Sequence, residues 1–134
     1  MVFTDVELEY LRTQRLGRLA TLDPRATLQN SPVGFQVDEN AGVIEIWGRD
    51  MGNTRKFHNV EANGQVAFVV DDLASVTPWV VRGIEIRGSA EALSDQTPPN
   101  AYISREVIRV HPRRVIAWGI GPDGTRVVRM VTPE

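Results

Sequence analysis

Val80-Val81-Arg82-Gly83-Ile84-Glu85-Ile86-Arg87-Gly88-Ser89-Ala90-Glu91-Ala92-Leu93 is the stretch on which the fold turns. Ile84 and Ile86 alternate with Glu85 and Arg87, the period of two that marks a strand with one face buried. Gly83 and Gly88 interrupt it at points where a long strand can bend, as strands do when a sheet curls into a barrel. The segments on either side repeat the pattern. Gln65–Asp71 sets Val66, Phe68 and Val70 on one face, and in Val43–Trp47 the pair Ile44 and Ile46 alternates with Glu45. Leu16–Leu22 and Thr27–Val37 are two further strands, joined by the turn residues Asp23-Pro24-Arg25. Arg105–Val110 and Arg114–Trp118 complete the set, with a break expected at His111-Pro112, and Thr125–Val131 adds a short edge strand.

Two helices fit between these runs. Thr4 to about Gln14 starts with a capping box, Thr4 and Glu7, and a hydrophobic staple, Phe3 and Leu8. Thr54–Asn63 turns Phe57 and Val60 inward. The sum is a mainly β fold, an antiparallel barrel of about six strands with an N-terminal helix and one short inserted helix.

At 134 residues the chain is expected to form one domain, 1–134, burying roughly two thirds of its unfolded surface. With no cysteine it has no disulfide, no thiolate zinc site and no cysteine nucleophile. Fifteen basic residues against 17 acidic ones give a net charge of −2, so no global field favours nucleic acid or a membrane surface. No apolar run approaches the roughly 20 residues of a spanning helix. Met1–Asp5 lacks the basic and then apolar pattern of a secretion signal, so a cytoplasmic location is expected. Of the basic residues 14 are Arg, as a GC-rich coding sequence would give, and the one lysine is Lys56.

Lys56 sits where the local chemistry is most distinctive, in Gly48-Arg49-Asp50-Met51-Gly52-Asn53-Thr54-Arg55-Lys56. With Asn53 as N-cap, Arg55 and Lys56 fall in the first helical turn, where each opposes the helix dipole by about 0.3–1 kcal/mol. An anion held by the free amides, Thr54 and these cations would reverse that sign. The alternative is that both side chains point into water, where the penalty is small.

Other motifs lead nowhere. Gly119-Ile120-Gly121-Pro122-Asp123-Gly124 has glycine-fingerprint spacing, but Pro122-Asp123-Gly124 is a turn signal and no helix is expected after it. His58 and His111 lack a second histidine or a carboxylate at ligand spacing, so no metal is expected. Asp71-Asp72 reads as a solvated turn, and no nucleophile elbow accompanies the serines. Trp47, Trp79 and Trp118 suit a ring pocket, but in a barrel this small an aromatic residue is more often part of the core or of a dimer interface.

Several segments together resemble the pyridoxamine 5'-phosphate oxidase-like split barrels. They are Asn53-Thr54-Arg55-Lys56-Phe57-His58-Asn59-Val60, Val66–Leu73, Pro78–Gly88 and Val110–Gly119. Within that family they are most similar to the actinobacterial branch that uses the deazaflavin coenzyme F420, the subgroup of the oxytetracycline-biosynthesis reductase. The resemblance runs from about residue 5 to 120 and lies in the pattern of segments rather than in one motif. It implies a six-stranded split β-barrel, a homodimer with sites at the subunit interface, and a cofactor phosphate held around the inserted helix by Arg49, Asn53, Thr54, Arg55 and Lys56. Some members carry Lys where this chain has Asn53, which shifts the phosphate contact to Arg55 or Lys56. Asn30, Ser31, Pro32 and Val33 would lie beside the cofactor ring, with Trp79, Arg82 and Trp118 near the interface. The implied activity is hydride transfer between coenzyme F420 and an electron-poor double bond of a small organic substrate. FMN is the alternative cofactor and a non-catalytic flavin or deazaflavin carrier the alternative role. No catalytic side chain is singled out.

Overall fold

Phe35 is the only residue between two strands that stand at opposite ends of the same sheet. The computed structural model describes residues 2–132. Among them, eight strands form one antiparallel sheet: β1 (Leu16–Leu22), β2 (Leu28–Gly34), β3 (Gln36–Asp38), β4 (Val43–Ile46), β5 (Gln65–Ser75), β6 (Val80–Leu93), β7 (Val107–Trp118) and β8 (Val127–Met130). Across the sheet the order is β2-β1-β5-β6-β7-β4-β3, with β8 paired to β7. Because β2 and β3 end this order yet are joined through Phe35, the sheet curls until its two ends approach. This is the split barrel. The strand count exceeds the expected six because the run Thr27–Val37 divides at Phe35 and because β8 pairs fully with β7.

Strand alternation fills the barrel. Ile84 and Ile86 of β6 are fully buried, as are Val70 of β5, Val110 of β7 and Ile44 and Ile46 of β4. Each such side chain stabilises the fold by about 1.5–3 kcal/mol through burial. Phe35 packs edge-on against Phe68, with ring centroids 5.3 Å apart.

The expected break at His111-Pro112 does not occur, and β7 runs through both residues. The register against β6 shifts between Arg87 and Gly88, so that Gly88 faces Pro112 while Arg87 faces Arg114. The bulged residue is Arg113 of β7, and a proline without an N–H is tolerated next to such an interruption of the ladder. Gly88 is required there, since a Cβ would stand 2.0 Å from the His111 carbonyl oxygen. Asp71 and Asp72 are not a turn either. They lie within β5, and each meets an arginine, Arg18 and Arg82.

The helices close opposite ends of the barrel. Helix α1 (Asp5–Arg12) starts with the expected capping box, Thr4 N–H to Glu7 Oε1 at 2.9 Å and Glu7 N–H to Thr4 Oγ1 at 3.2 Å. It leads into β1 and reaches Asp72 of β5 through the Tyr10 hydroxyl. Helix α2 (Arg55–Ala62) packs instead at the far end of β1, where Asn59 meets Thr21, and leads into the start of β5. Phe57 and Val60 face inward as expected. Among the described residues no helix is long and apolar enough to cross a membrane.

Candidate functional site

Thr54, not Asn53, caps α2. Thr54 has extended backbone angles, its Oγ1 accepts from the Phe57 N–H at 3.3 Å, and its hydroxyl donates to the Met51 carbonyl at 2.7 Å. Asn53 belongs to a 3-10 turn, Met51–Asn53, and its side-chain amide donates to Asp50 at 2.8 Å. Arg55 and Lys56 are therefore the first two helical residues.

The amides around this turn can be assigned one by one. Met51 N–H donates to Ser104 Oγ at 3.0 Å and Gly52 N–H to Glu106 Oε1 at 3.2 Å. Asn53 N–H and Thr54 N–H donate to the carbonyls of Asp50 and Met51. Among the described residues the amides of Arg55 and Lys56 remain, one directly after the other at the positive end of the helix. Arg49 and Arg55 are exposed and Lys56 half-buried, and among the described residues none of their side chains forms an ion pair. Two free amides flanked by unpaired cations suit a phosphate.

Asn59 links this helix start to the predicted ring side. It is only 1% exposed, and its side-chain amide donates to Thr21 Oγ1 at 3.0 Å and to Gln29 Oε1 at 2.9 Å. Gln29 directly precedes Asn30-Ser31-Pro32. Alternation divides that trio between two faces: Gln29, Ser31 and Val33 turn toward the interior, while Asn30 and Pro32 are exposed on the outside. Among the described residues Ser31 Oγ is buried without a hydrogen-bond partner.

On the outer face a groove of about 340 Å³ is lined by Arg18, Asn30, Ala67, Val69, Glu85 and Trp118. Trp118 lies over Gly83, where a Cβ would stand 2.5 Å from its Cζ2, so the absence of a side chain seats the indole. Glu85 is held by Arg87, with contacts of 3.0 and 3.2 Å, and Arg18 by Asp71. The groove thus has an apolar floor, an aromatic end wall and charges already neutralised. A flat ring fits these walls.

The structure brings Arg49, Asn53, Thr54, Arg55 and Lys56 together at one turn, and Asn30 and Trp118 at one groove. It does not bring Trp79 or Arg82 to either. Trp79 is 67% exposed beside the β5–β6 turn. Arg82 faces the α1 end of the barrel, paired with Asp72 through contacts of 3.1 and 2.6 Å and lying over the Tyr10 ring. Along β6 it is roughly 25 Å from Ala90, beside which α2 ends. The Arg82 bond holds the Asp72 carboxyl below the usual range, with the Tyr10 bond acting in the same direction. Burial, reinforced by that bond, pushes the Tyr10 phenol up.

Asn59, Ser104, Glu106, Arg18 and Glu85 were not singled out from the sequence. All but Glu85, whose partner Arg87 is two residues on, have partners tens of residues away, so no local pattern announces them. Each histidine does meet one carboxylate, His58 with Glu61 at 2.9 Å and His111 with Glu91 at 2.5 Å. Among the described residues no group of three metal-ligand side chains forms.

Comparison with known proteins agrees with this architecture. Residues 3–119 match the family model described as pyridoxamine 5'-phosphate oxidase. The chain is 49% identical over 124 residues to the 5a,11a-dehydrotetracycline/5a,11a-dehydrooxytetracycline reductase of Streptomyces rimosus, covering 92% of this chain and 87% of that one. Among solved structures it is similar to a conserved hypothetical protein of Mycobacterium tuberculosis, with TM-score 0.70, 18% identity and coverage of 98% and 93% of the two chains. It is also similar to a protein described as an F420 reductase, with TM-score 0.57, 26% identity and coverage of 75% and 88%. The chain belongs to the pyridoxamine 5'-phosphate oxidase family.

Proposed function

We propose that this protein is a coenzyme F420-dependent reductase that acts as a homodimer on an electron-poor double bond of a small organic substrate. The observation that carries this reading is the 49% identity to a dehydrotetracycline reductase across nearly the whole chain. An oxidoreductase of this family is supported by that relative, and the deazaflavin by the similarity to an F420 reductase.

The arrangement of side chains fits a ligand made of a ring and a phosphate. Arg55 and Lys56, with their own amides, hold the phosphate, and Arg49 and Asn53 flank it. Val69, Ala67 and Trp118 line the ring and exclude water from one of its faces, while Asn30 offers a polar edge. When bound, the reduced deazaflavin supplies a hydride. The chain's contribution is orientation and exclusion of water. The proton that completes the reduction is taken from solvent, since Glu85 and Arg18 on the groove are committed to Arg87 and Asp71.

Dimerisation is supported by the same outer face. Register across β6, β7 and β8 puts Val128 and Met130 on the side of Glu85 and the groove, and they are 42% and 67% exposed. Leu28, on the groove side of β2, is 76% exposed. A second copy covering this face would close the groove, and Trp79, remote from the groove of its own chain, would be offered to the other chain.

Titration of the purified protein with coenzyme F420, FMN and FAD, followed by tryptophan fluorescence, tests the cofactor. Tightest binding of coenzyme F420 is expected, and tighter FMN binding overturns that choice. Light scattering should give twice the 14.9 kDa chain mass at micromolar concentration, and a clean monomer overturns the dimer.

A further inference from the structure

We propose that Asn59 is a positioning residue that couples the phosphate-holding start of α2 to strand β2, so that one rigid unit grips both parts of the ligand. The inference rests on the reading above, that phosphate lies at the α2 start and ring beside β2.

Three facts point to it. First, Asn59 stands three residues after Lys56 and four after Arg55, the spacings that share one helix face. A rotation or slide of the helix at Asn59 is carried directly to both cations. Second, α2 is two turns long and its other buried anchors, Phe57 and Val60, are apolar. Apolar packing is non-directional, so it holds the helix close without fixing its angle. The two bonds from Asn59, to Thr21 on β1 and Gln29 on β2, supply the missing direction.

Third, this polar seam costs stability that an apolar one would not. Among the described residues Asn59 Oδ1 is buried with no donor, beside a predominantly apolar barrel core. An unsatisfied buried acceptor is unfavourable, and a hydrophobic side chain of similar size would avoid it. An amide kept in such a place fixes a register, and the register here is that of α2 against the strand leading into Asn30-Ser31-Pro32.

The test measures the phosphate advantage: the ratio of dissociation constants of riboflavin and FMN, and in parallel of the phosphate-free deazariboflavin core and coenzyme F420. Asn59→Leu keeps the volume and removes both bonds, and Gln29→Leu removes one from the strand side. Each is expected to shrink the ratio roughly tenfold, the loss of about one charge-assisted contact, while the phosphate-free ligands bind nearly as before. The double variant should lose little more than either single one, since both break the same link.

A merely structural Asn59 predicts lower thermal stability with an unchanged ratio, and that result overturns the proposal. So does an equal weakening of ligands with and without phosphate. If Asn59→Leu does not fold, Gln29→Leu and Thr21→Val decide the matter by the same ratio. If the unaltered protein shows no phosphate advantage in either pair, the phosphate reading itself is wrong and the coupling falls with it. That outcome is visible before any variant is made.

Discussion

The Tyr10 hydroxyl donates to the Asp72 carboxylate at 2.8 Å, and Arg82 grips the same carboxylate from the strand opposite. One acid thereby ties α1 to the β5–β6 hairpin at the end of the barrel away from α2. Loss of the Tyr10 bond in Tyr10→Phe should lower unfolding free energy by about 1–2 kcal/mol, read by urea denaturation. Asp72→Ala should cost more, because it leaves the phenol and the guanidinium without their shared acceptor.

The same triad fixes a pH dependence. The Asp72 carboxyl is depressed in the folded state, so its contribution is fully present above the unfolded value near 3.9 and is lost as pH falls through the folded value. The stability gap between the unaltered protein and Asp72→Asn should therefore be widest near neutrality and narrow below about pH 4. The Tyr10 phenol is raised, so its contribution persists in mildly alkaline solution and declines once pH passes about 10. A gap that does not change with pH would show that Asp72 is not held ionised by Arg82 and Tyr10.

Glu7 has a second duty beyond the capping box. Its side chain is 5% exposed and is met by Arg129 of β8, with Arg129 Nε donating at 3.0 Å. Arg129 also donates to the Val2 carbonyl at 2.7 Å, so the last strand is pinned to the first helix. Arg129→Met strands a buried carboxylate and should destabilise by about 3–5 kcal/mol. Replacing both, Glu7→Gln with Arg129→Met, should recover part of that loss. Equal melting temperatures for the single and double variants would contradict this account.

How far each feature could be read from the sequence follows its range along the chain. The Thr4–Glu7 box spans three residues and the alternation in Val80–Leu93 spans two, so both are visible locally. Choosing Asn53 over Thr54 as cap failed because both residues are good caps, and the 3-10 turn before the helix decides between them. The break expected at Pro112 failed because β7 bulges at Arg113, beside the proline, and the residue that leaves room for it, Gly88, lies on the neighbouring strand. Arg82, set near the interface by the resemblance, is committed to Asp72, which the register of the β5–β6 hairpin places directly opposite it. Ser104, Glu106 and the Gln29–Asn59 bond join residues 30 to 54 positions apart, and only the closed barrel reveals them.

Gly83 should be sensitive out of proportion to its size. A methyl there would stand 2.5 Å from Cζ2 of Trp118 and 3.0 Å from the Val70 carbonyl oxygen, so Gly83→Ala must push the indole off the sheet. The expected result is a shifted tryptophan emission and weaker binding of both riboflavin and FMN, since the groove's end wall serves the ring rather than the phosphate. Unchanged binding of both ligands in a folded variant would remove Trp118 from the ring site.

The start of α2 makes the opposite prediction. Arg55 and Lys56 place two cations at the positive end of a helix, unpaired among the described residues, a location that disfavours them by about 0.3–1 kcal/mol each. Without ligand, Arg55→Ala and Lys56→Ala should therefore leave stability unchanged or slightly raised. With ligand, each removes a charge-assisted contact worth about 1.5–3 kcal/mol, or roughly ten- to a hundredfold in affinity. That loss should appear for coenzyme F420 and FMN and be absent for riboflavin, and it should diminish at high salt as the phosphate is screened. The pattern separates three cases. A fold defect lowers stability and weakens every ligand. A ring contact weakens riboflavin as well as FMN. Solvated side chains change neither stability nor affinity, and two folded variants that bind all ligands as the unaltered protein does would place the phosphate elsewhere on the barrel.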